Sequence, residues 1–189
     1  MLGWMVGFFG WAVVYSALLV GFAIMAAWLV GRQLPGQITV LFFFTMTFVF
    51  LTQHPFPNMR QLSCPVATAS PQFYPLSYWS TFAELVHSRA SFSEWYLNKV
   101  VLETIMNLAF CSVIGASLAL NTKRYRNALL FGSLLTVSVE LTQLTGLWGL
   151  YRCAYRKFSV DDIFLNIVGT MLGFWLIRKI KSNHPPTAI

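Results

Sequence analysis

The chain has 189 residues, 57% hydrophobic and only 10% charged, with a mean hydropathy of +0.62. A soluble domain carries about 25% charged residues, so this composition argues against a globule covered by water. The net charge of +7 does not point to nucleic acid either, because the cations sit between and after apolar runs. No basic face with interleaved aromatics of the kind a nucleic-acid groove needs is present, and Lys and Arg at helix ends are a membrane-protein pattern.

Taken in chain order, no charged residue occurs from Met1 to Gly31, and Gly3 to Val30 supplies a first span. Spanning takes about 20 mostly apolar residues. This run is too long for the apolar part of a cleaved leader and has no basic flank before it. Gly31-Arg32-Gln33-Leu34-Pro35-Gly36 reads as a tight turn, and Ile38 to Thr52 as a short, Phe-rich second span that is either lipid-facing or packing surface. Val101 to Leu120, Ala128 to Leu147 and Ile163 to Ile177 are the third, fourth and fifth. The expected fold is all-α: a polytopic integral membrane bundle of about five transmembrane helices, with a re-entrant second segment and four spans as the alternative.

The stretch between the second and third spans is too long for a mere linker. Its first half holds Pro55, Pro57, Pro65, Pro71 and Pro75, which interrupt regular structure. In the second half, Thr81-x-x-Glu84 and Ser91-x-x-Glu94 both match the capping box. Ser80 to Arg89 is expected to be an amphipathic helix lying in the interface, or else a partly buried helix capping the bundle. Ser91 is expected to start a helix that rises through Trp95 and Tyr96 into the third span. The organisation is thus two N-terminal segments over 1–53, an extracytoplasmic loop over 54–99, a three-helix core over 100–180 and a cytoplasmic tail over 181–189.

Cation placement sets the orientation. With five spans and Arg178, Lys179 and Lys181 inside, the Lys123–Arg126 cluster and Arg32 also fall inside and the N-terminus outside, as the positive-inside rule asks. One short connection breaks the rule: Tyr151 to Ser159 would lie outside yet carries Arg152, Arg156 and Lys157. Cations there have another job if the topology holds.

The chain has six acids, and four of them fall in or beside spans, where an ionisable group costs several kcal/mol unless paired or hydrated and so marks function. Glu103/Asn107 and Asp162/Asn166 are spaced i,i+4 and Glu140/Gln143 i,i+3, so each pair shares one helix face. Three helices therefore present a carboxylate and a carboxamide at one depth. Arg156, directly above, is expected to reach Glu140 or Asp162 through bidentate bonds. A salt-bridged network that only fixes helix packing is the competing reading. Asp161 fits better as an N-terminal acid favoured by the helix dipole, and Arg152 is a secondary candidate.

Gly115, and Gly169-x-x-x-Gly173 in the last span, suit close helix packing. His54, His87 and His184 are isolated, and neither a cofactor nor a metal site is expected. Cys111 lies in a span as an inert thiol; Cys64 and Cys153 fall on one side, which allows a disulfide.

Asn107 with Gly115, Glu140-Leu-Thr-Gln143, Arg156-Lys-Phe-Ser-Val-Asp-Asp162 and Asn166-Ile-Val-Gly169-x-x-x-Gly173 together resemble the VanZ-like family of bacterial membrane proteins. That family's pattern is an Asn…Gly helix, a Glu-x-x-Gln helix and an Arg-x-Phe-Asp-x-Asp-Asp-x-x-x-Asn-x-x-Gly stretch, and the match runs from roughly Pro75 to Trp175. Cys111 and Val113 stand where the family often has Phe and Pro, and Ser159 replaces the first Asp of its acidic triplet. The resemblance implies a bacterial plasma membrane location and a link to resistance against glycopeptide antibiotics of the teicoplanin type, with no reaction attached.

Two functions follow as expectations. An accessory envelope protein would bind a lipid-linked cell-wall precursor or a glycopeptide in an outward-facing polar pocket, its partners being that ligand and the bilayer, with no nucleic acid. A membrane-embedded enzyme would use Glu, Asp and Arg on a lipid or precursor head group, with a divalent cation as an optional aid. An ion carrier through Glu103 and Glu140 is a weaker third, because the inner halves of the spans hold almost no ionisable residues to continue a relay.

Overall fold

A computed structural model of the chain describes residues 2–31, 35–52 and 70–183. The turn residues 32–34, residues 53–69 of the long loop with His54 and Cys64, and the tail with His184 lie outside the described residues. The elements are α1 (Leu2–Leu29), α2 (Pro35–Thr52), α3 (Tyr78–His87), α4 (Phe92–Leu97), α5 (Lys99–Asn121), α6 (Tyr125–Leu144), α7 (Gly146–Gly149) and α8 (Val160–Asn183). Among the described residues the one β pairing is an isolated parallel bridge between Gln72 and Ser159.

The fold is the expected all-helical membrane bundle. By length and composition, α1 from Phe9, α5, α6 and α8 are each able to cross a membrane. The 18 residues of α2 reach roughly 27 Å at 1.5 Å per residue, just short of a hydrocarbon core of about 30 Å. Its first residue is Pro35, whose missing N–H costs nothing at a helix start. The turn is therefore shorter than the spacing predicted.

The core is an α5–α8 pair running side by side in the same direction. Asn107 meets Asp162, Ser112 meets Gly169, and Gly115 meets Thr170 and Phe174. A Cβ added to Gly115, Gly169 or Gly173 would collide with the carbonyls of Thr170, Leu108 and Ser112 respectively. Such contact is what glycine allows in a membrane, where dispersion between closely packed backbones drives association. Along another side of α8, α6 returns antiparallel, with Glu140 beside Ser159, Thr136 beside Asn166 and Gly132 beside Thr170.

Apolar contacts fill the rest. Ile114, Leu135, Val139 and Phe174 are fully enclosed, and Phe50 of α2 stacks on Phe110 of α5 at 3.9 Å between centroids. The second helix thus uses part of its Phe-rich surface for packing. By contrast α1 is largely bare, with Phe22 72% and Trp28 77% exposed, as a helix facing hydrocarbon is free to be.

The long loop behaves differently from its reading at two points. Ser91 does form a complete capping box with Glu94, and the Ser91 amide and hydroxyl hold the Glu94 carboxyl below its ordinary range. Thr81 does not, because it lies inside α3, whose N-cap residue is Ser77. Nor does α4 continue into the third span. Asn98 adopts extended backbone and its side chain accepts from the Val100 and Val101 amides, so it starts α5 afresh.

Beyond α6, Gly146, Leu147, Trp148 and Gly149 all have positive φ, from 56° to 90°. This is a left-handed turn, in which each non-glycine residue costs roughly 1–2 kcal/mol. It ends the helix at Leu144, earlier than the hydropathy suggested, and folds the chain so that the Tyr151 amide donates to the Gly146 carbonyl. A side chain on Gly146 would strike the carbonyls of Tyr151 and Cys153.

Candidate functional site

The polar side chains collect where α8 begins, between the first turns of α5 and the last turn of α6. In the topmost layer the Arg156 guanidinium pairs with the Glu103 carboxylate at 3.2 Å, and Lys99, one turn before Glu103 on α5, approaches the same oxygen at 3.8 Å. All six acids lie among the described residues, and neither Glu140 nor Asp162 takes the ion pair expected for Arg156. Glu103 stands closer to the loop, at the open end of the helices, where pairing costs less desolvation than at Glu140, which is 1% exposed.

Glu140 has a different task. Its Oε2 accepts from the Ser159 amide at 2.8 Å, so a carboxylate from α6 satisfies one of the orphan donors at the start of α8. The Ser159 hydroxyl accepts from the Asp162 amide in the same turn, at 3.4 Å. On the other side of α8, Asp162 Oδ1 accepts from the Asn107 amide nitrogen at 3.0 Å. One turn deeper, Asn166 donates to the Thr136 hydroxyl at 3.0 Å. The layer is therefore a ladder of cross-helix joints descending from the loop, with α8 at its centre.

Asp161 goes beyond a dipole effect. One of its carboxylate oxygens accepts from the Leu76 amide, and the other from the Ser77 amide, the Ser77 hydroxyl and the Gln72 side chain. Gln72 in turn pairs its backbone with Phe158 and Val160, and its side-chain oxygen accepts from the Ser159 hydroxyl. Residues 72–77 are thus strapped over the start of α8, and Leu76 takes a left-handed φ of 64° to make the bend. No motif flags Gln72 or Ser77. Their roles depend on a partner more than 80 residues away, which local spacing cannot reveal.

Gln143 departs from the group. Its amide nitrogen donates to the Leu51 carbonyl at the end of α2, at 2.8 Å. The i,i+3 spacing does put it near the face of Glu140, yet the orphan carbonyl of a helix end claims it. Gln143 Oε1, Asn166 Oδ1 and the Tyr155 hydroxyl are buried without a hydrogen-bond partner among the described residues.

Between the strap, α3, α5 and the loop before α8 lies a cavity of about 420 Å³. Its charged lining consists of Lys99, Arg156 and Lys157 with Glu103, Asp161 and Asp162, joined by Tyr78, Thr81, Thr104 and Tyr155. Asn107, Glu140, Gln143 and Asn166 do not line it, and Arg152 is exposed outside it. Burial pushes the Tyr155 hydroxyl above its ordinary range, so it stands there as a neutral donor. Gly115, Gly169 and Gly173 lie further down the α5–α8 seam.

Among the described residues no group of three or more His, Cys, Asp or Glu side chains is placed to hold a metal ion. Cys153 is disulfide-bonded, which ties down the loop carrying Arg156 and Lys157. Cys111 is a free, buried thiol, and the Cys64 named as a possible partner for Cys153 lies outside the described residues.

Long apolar helices joined by buried carboxylate and carboxamide contacts, with a charged cavity at one end, define a polytopic helical membrane protein. The VanZ/LLP1 family model matches residues 37–181, and the chain belongs to that family. No curated protein and no solved structure matches it.

Proposed function

We propose that this chain is a bacterial plasma-membrane protein that binds the polar head group of a lipid-linked cell-wall precursor at the outer leaflet, and by doing so lowers susceptibility to teicoplanin-type glycopeptides. The observation that carries the reading is the 420 Å³ cavity with Lys99, Arg156 and Lys157 on its wall. Its volume falls toward the lower end of the roughly 300–1,000 Å³ typical of small-molecule sites, room for a head group more than for a whole glycopeptide.

The outward orientation rests on charge. Because α5 and α8 run in parallel, their C-terminal ends share one end of the bundle, and there lie Lys123, Arg124 and Arg126 as well as Arg178, Lys179 and Lys181. That end is the cytoplasmic one by the positive-inside rule, which puts the cavity outside. Two of the three cations of the 151–159 loop then serve the cavity: Arg156 pairs with Glu103 and Lys157 lines the wall.

Expression in a susceptible bacterium should raise the teicoplanin concentration needed to stop growth, and Arg156→Ala at equal membrane abundance should abolish the rise. Unchanged susceptibility with the native chain, or full protection by the variant, would overturn the reading.

A further inference from the structure

The cavity's charge pattern is mixed. Three cations and three carboxylates line it, so at neutral pH their formal charges cancel and a simple anion gains little from the field as a whole. Two of the carboxylates are already engaged: Asp161 by the strap and Glu103 by Arg156 and Lys99. Asp162 is not saturated, because one oxygen accepts from Asn107 and the other accepts no hydrogen bond among the described residues. Lys157 makes no ion pair among them either. A carboxylate oxygen and an ammonium that are both unpaired among the described residues thus line the same cavity, together with the neutral Tyr155 hydroxyl, which is buried without a hydrogen-bond partner among them.

The wall also tells where a ligand comes from. Tyr78 and Thr81 of α3 line the cavity, while Trp79 and Val86 of the same helix are 67% and 66% exposed. Nearby, Phe73 and Tyr74 beside the strap and Phe92 on α4 are bare to a similar or greater degree. Trp and Tyr are favoured at the head-group level of a membrane, and the bare Trp79 and Tyr74 suit that level, with the cavity on the other face of α3.

We infer that the cavity takes a zwitterionic phospholipid head group carrying a primary ammonium, with the phosphate on Lys157 and the Tyr155 hydroxyl and the ammonium on Asp162. This rests on the head-group reading given above and names a second class of head group for the same cavity. A primary ammonium donates up to three hydrogen bonds to carboxylate or hydroxyl oxygens, whereas a trimethylated one donates none.

The test uses the purified full-length protein in lipid nanodiscs of a neutral carrier lipid, doped in turn with phosphatidylethanolamine, phosphatidylglycerol or phosphatidylcholine, with occupancy read by native mass spectrometry. Phosphatidylethanolamine should be preferred over each of the others by about tenfold, the equivalent of one charge-assisted hydrogen bond. Lys157→Gln, at an exposed position with no structural partner, should fold normally and remove most of the affinity for both phosphatidylethanolamine and phosphatidylglycerol. Asp162→Asn should erase the preference for phosphatidylethanolamine over phosphatidylcholine, and a melting curve matching the native one certifies its fold. Soluble O-phosphorylethanolamine, added in competition, separates a site for the head group alone from one that also needs the acyl chains. Binding of all three lipids without preference, or a preference that survives both variants, would overturn the inference while leaving head-group binding intact. Failure of every lipid and of O-phosphorylethanolamine to bind would overturn the inference outright, while the precursor reading stands or falls on the susceptibility test above.

Discussion

At the scale of single residues, the buried acids work by completing backbone valences. Glu140 accepts from the Ser159 amide, and its own atoms are sealed from solvent. Glu140→Ala should leave that amide unpaired and lower stability by about 1–3 kcal/mol, while Glu140→Gln keeps an acceptor in place and should lose much less. Thermal unfolding in detergent distinguishes them; equal losses would mean that the charge, and not the acceptor, matters at this position. Asp161 follows the same logic with four donors on one carboxylate. The sequence shows that these acids are unusual, since carboxylates in apolar helices are rare. It does not show their partners, because three of them are backbone amides, which carry no signature in the residue code. Arg156 is instructive in the same way: a guanidinium above three carboxylates has several possible mates, and depth decides among them.

At the scale of elements, glycine sets the geometry of the α5–α8 pair. Gly173→Leu drives a side chain into the Ser112 backbone, and because backbone cannot swing away as a side chain can, the two helices must part. A loss of several kcal/mol is expected, toward or beyond the usual 1–3 kcal/mol for overpacking. Gly21→Ala, at a site with nothing within 4 Å, should stay within about 0.5 kcal/mol of the native chain. Both are read by the same melting experiment, and an equal effect would contradict the seam. Four of the five apolar runs were legible to within a few residues because length and hydropathy decide them. The breaks were not. Asn98 separates α4 from α5 and the Gly146–Gly149 turn ends α6, and both depend on backbone conformations that a hydropathy profile averages away.

For the molecule as a whole, the layout puts two basic clusters at one end and the mixed-charge cavity at the other. A reporter fused after Asn183 should be active only in the cytoplasm, and one inserted at Leu150, which is exposed, only outside it. Both reporters on the same side would contradict the orientation proposed here. Of the cations in the 151–159 loop, legible in the sequence as an anomaly under the expected topology, Arg156 and Lys157 line the cavity. That the loop folds over the start of α8, with Cys153 held in a disulfide, is a matter of tertiary assembly.

The strap over α8 also has a bearing on how the protein is made. Leu76 finds its acceptor 85 positions later in the chain, after two further membrane helices have been laid down. Until α8 has been made, the segment around Gln72 lacks the carboxylate that holds it, so the bend at Leu76 has to wait for a helix laid down well after it.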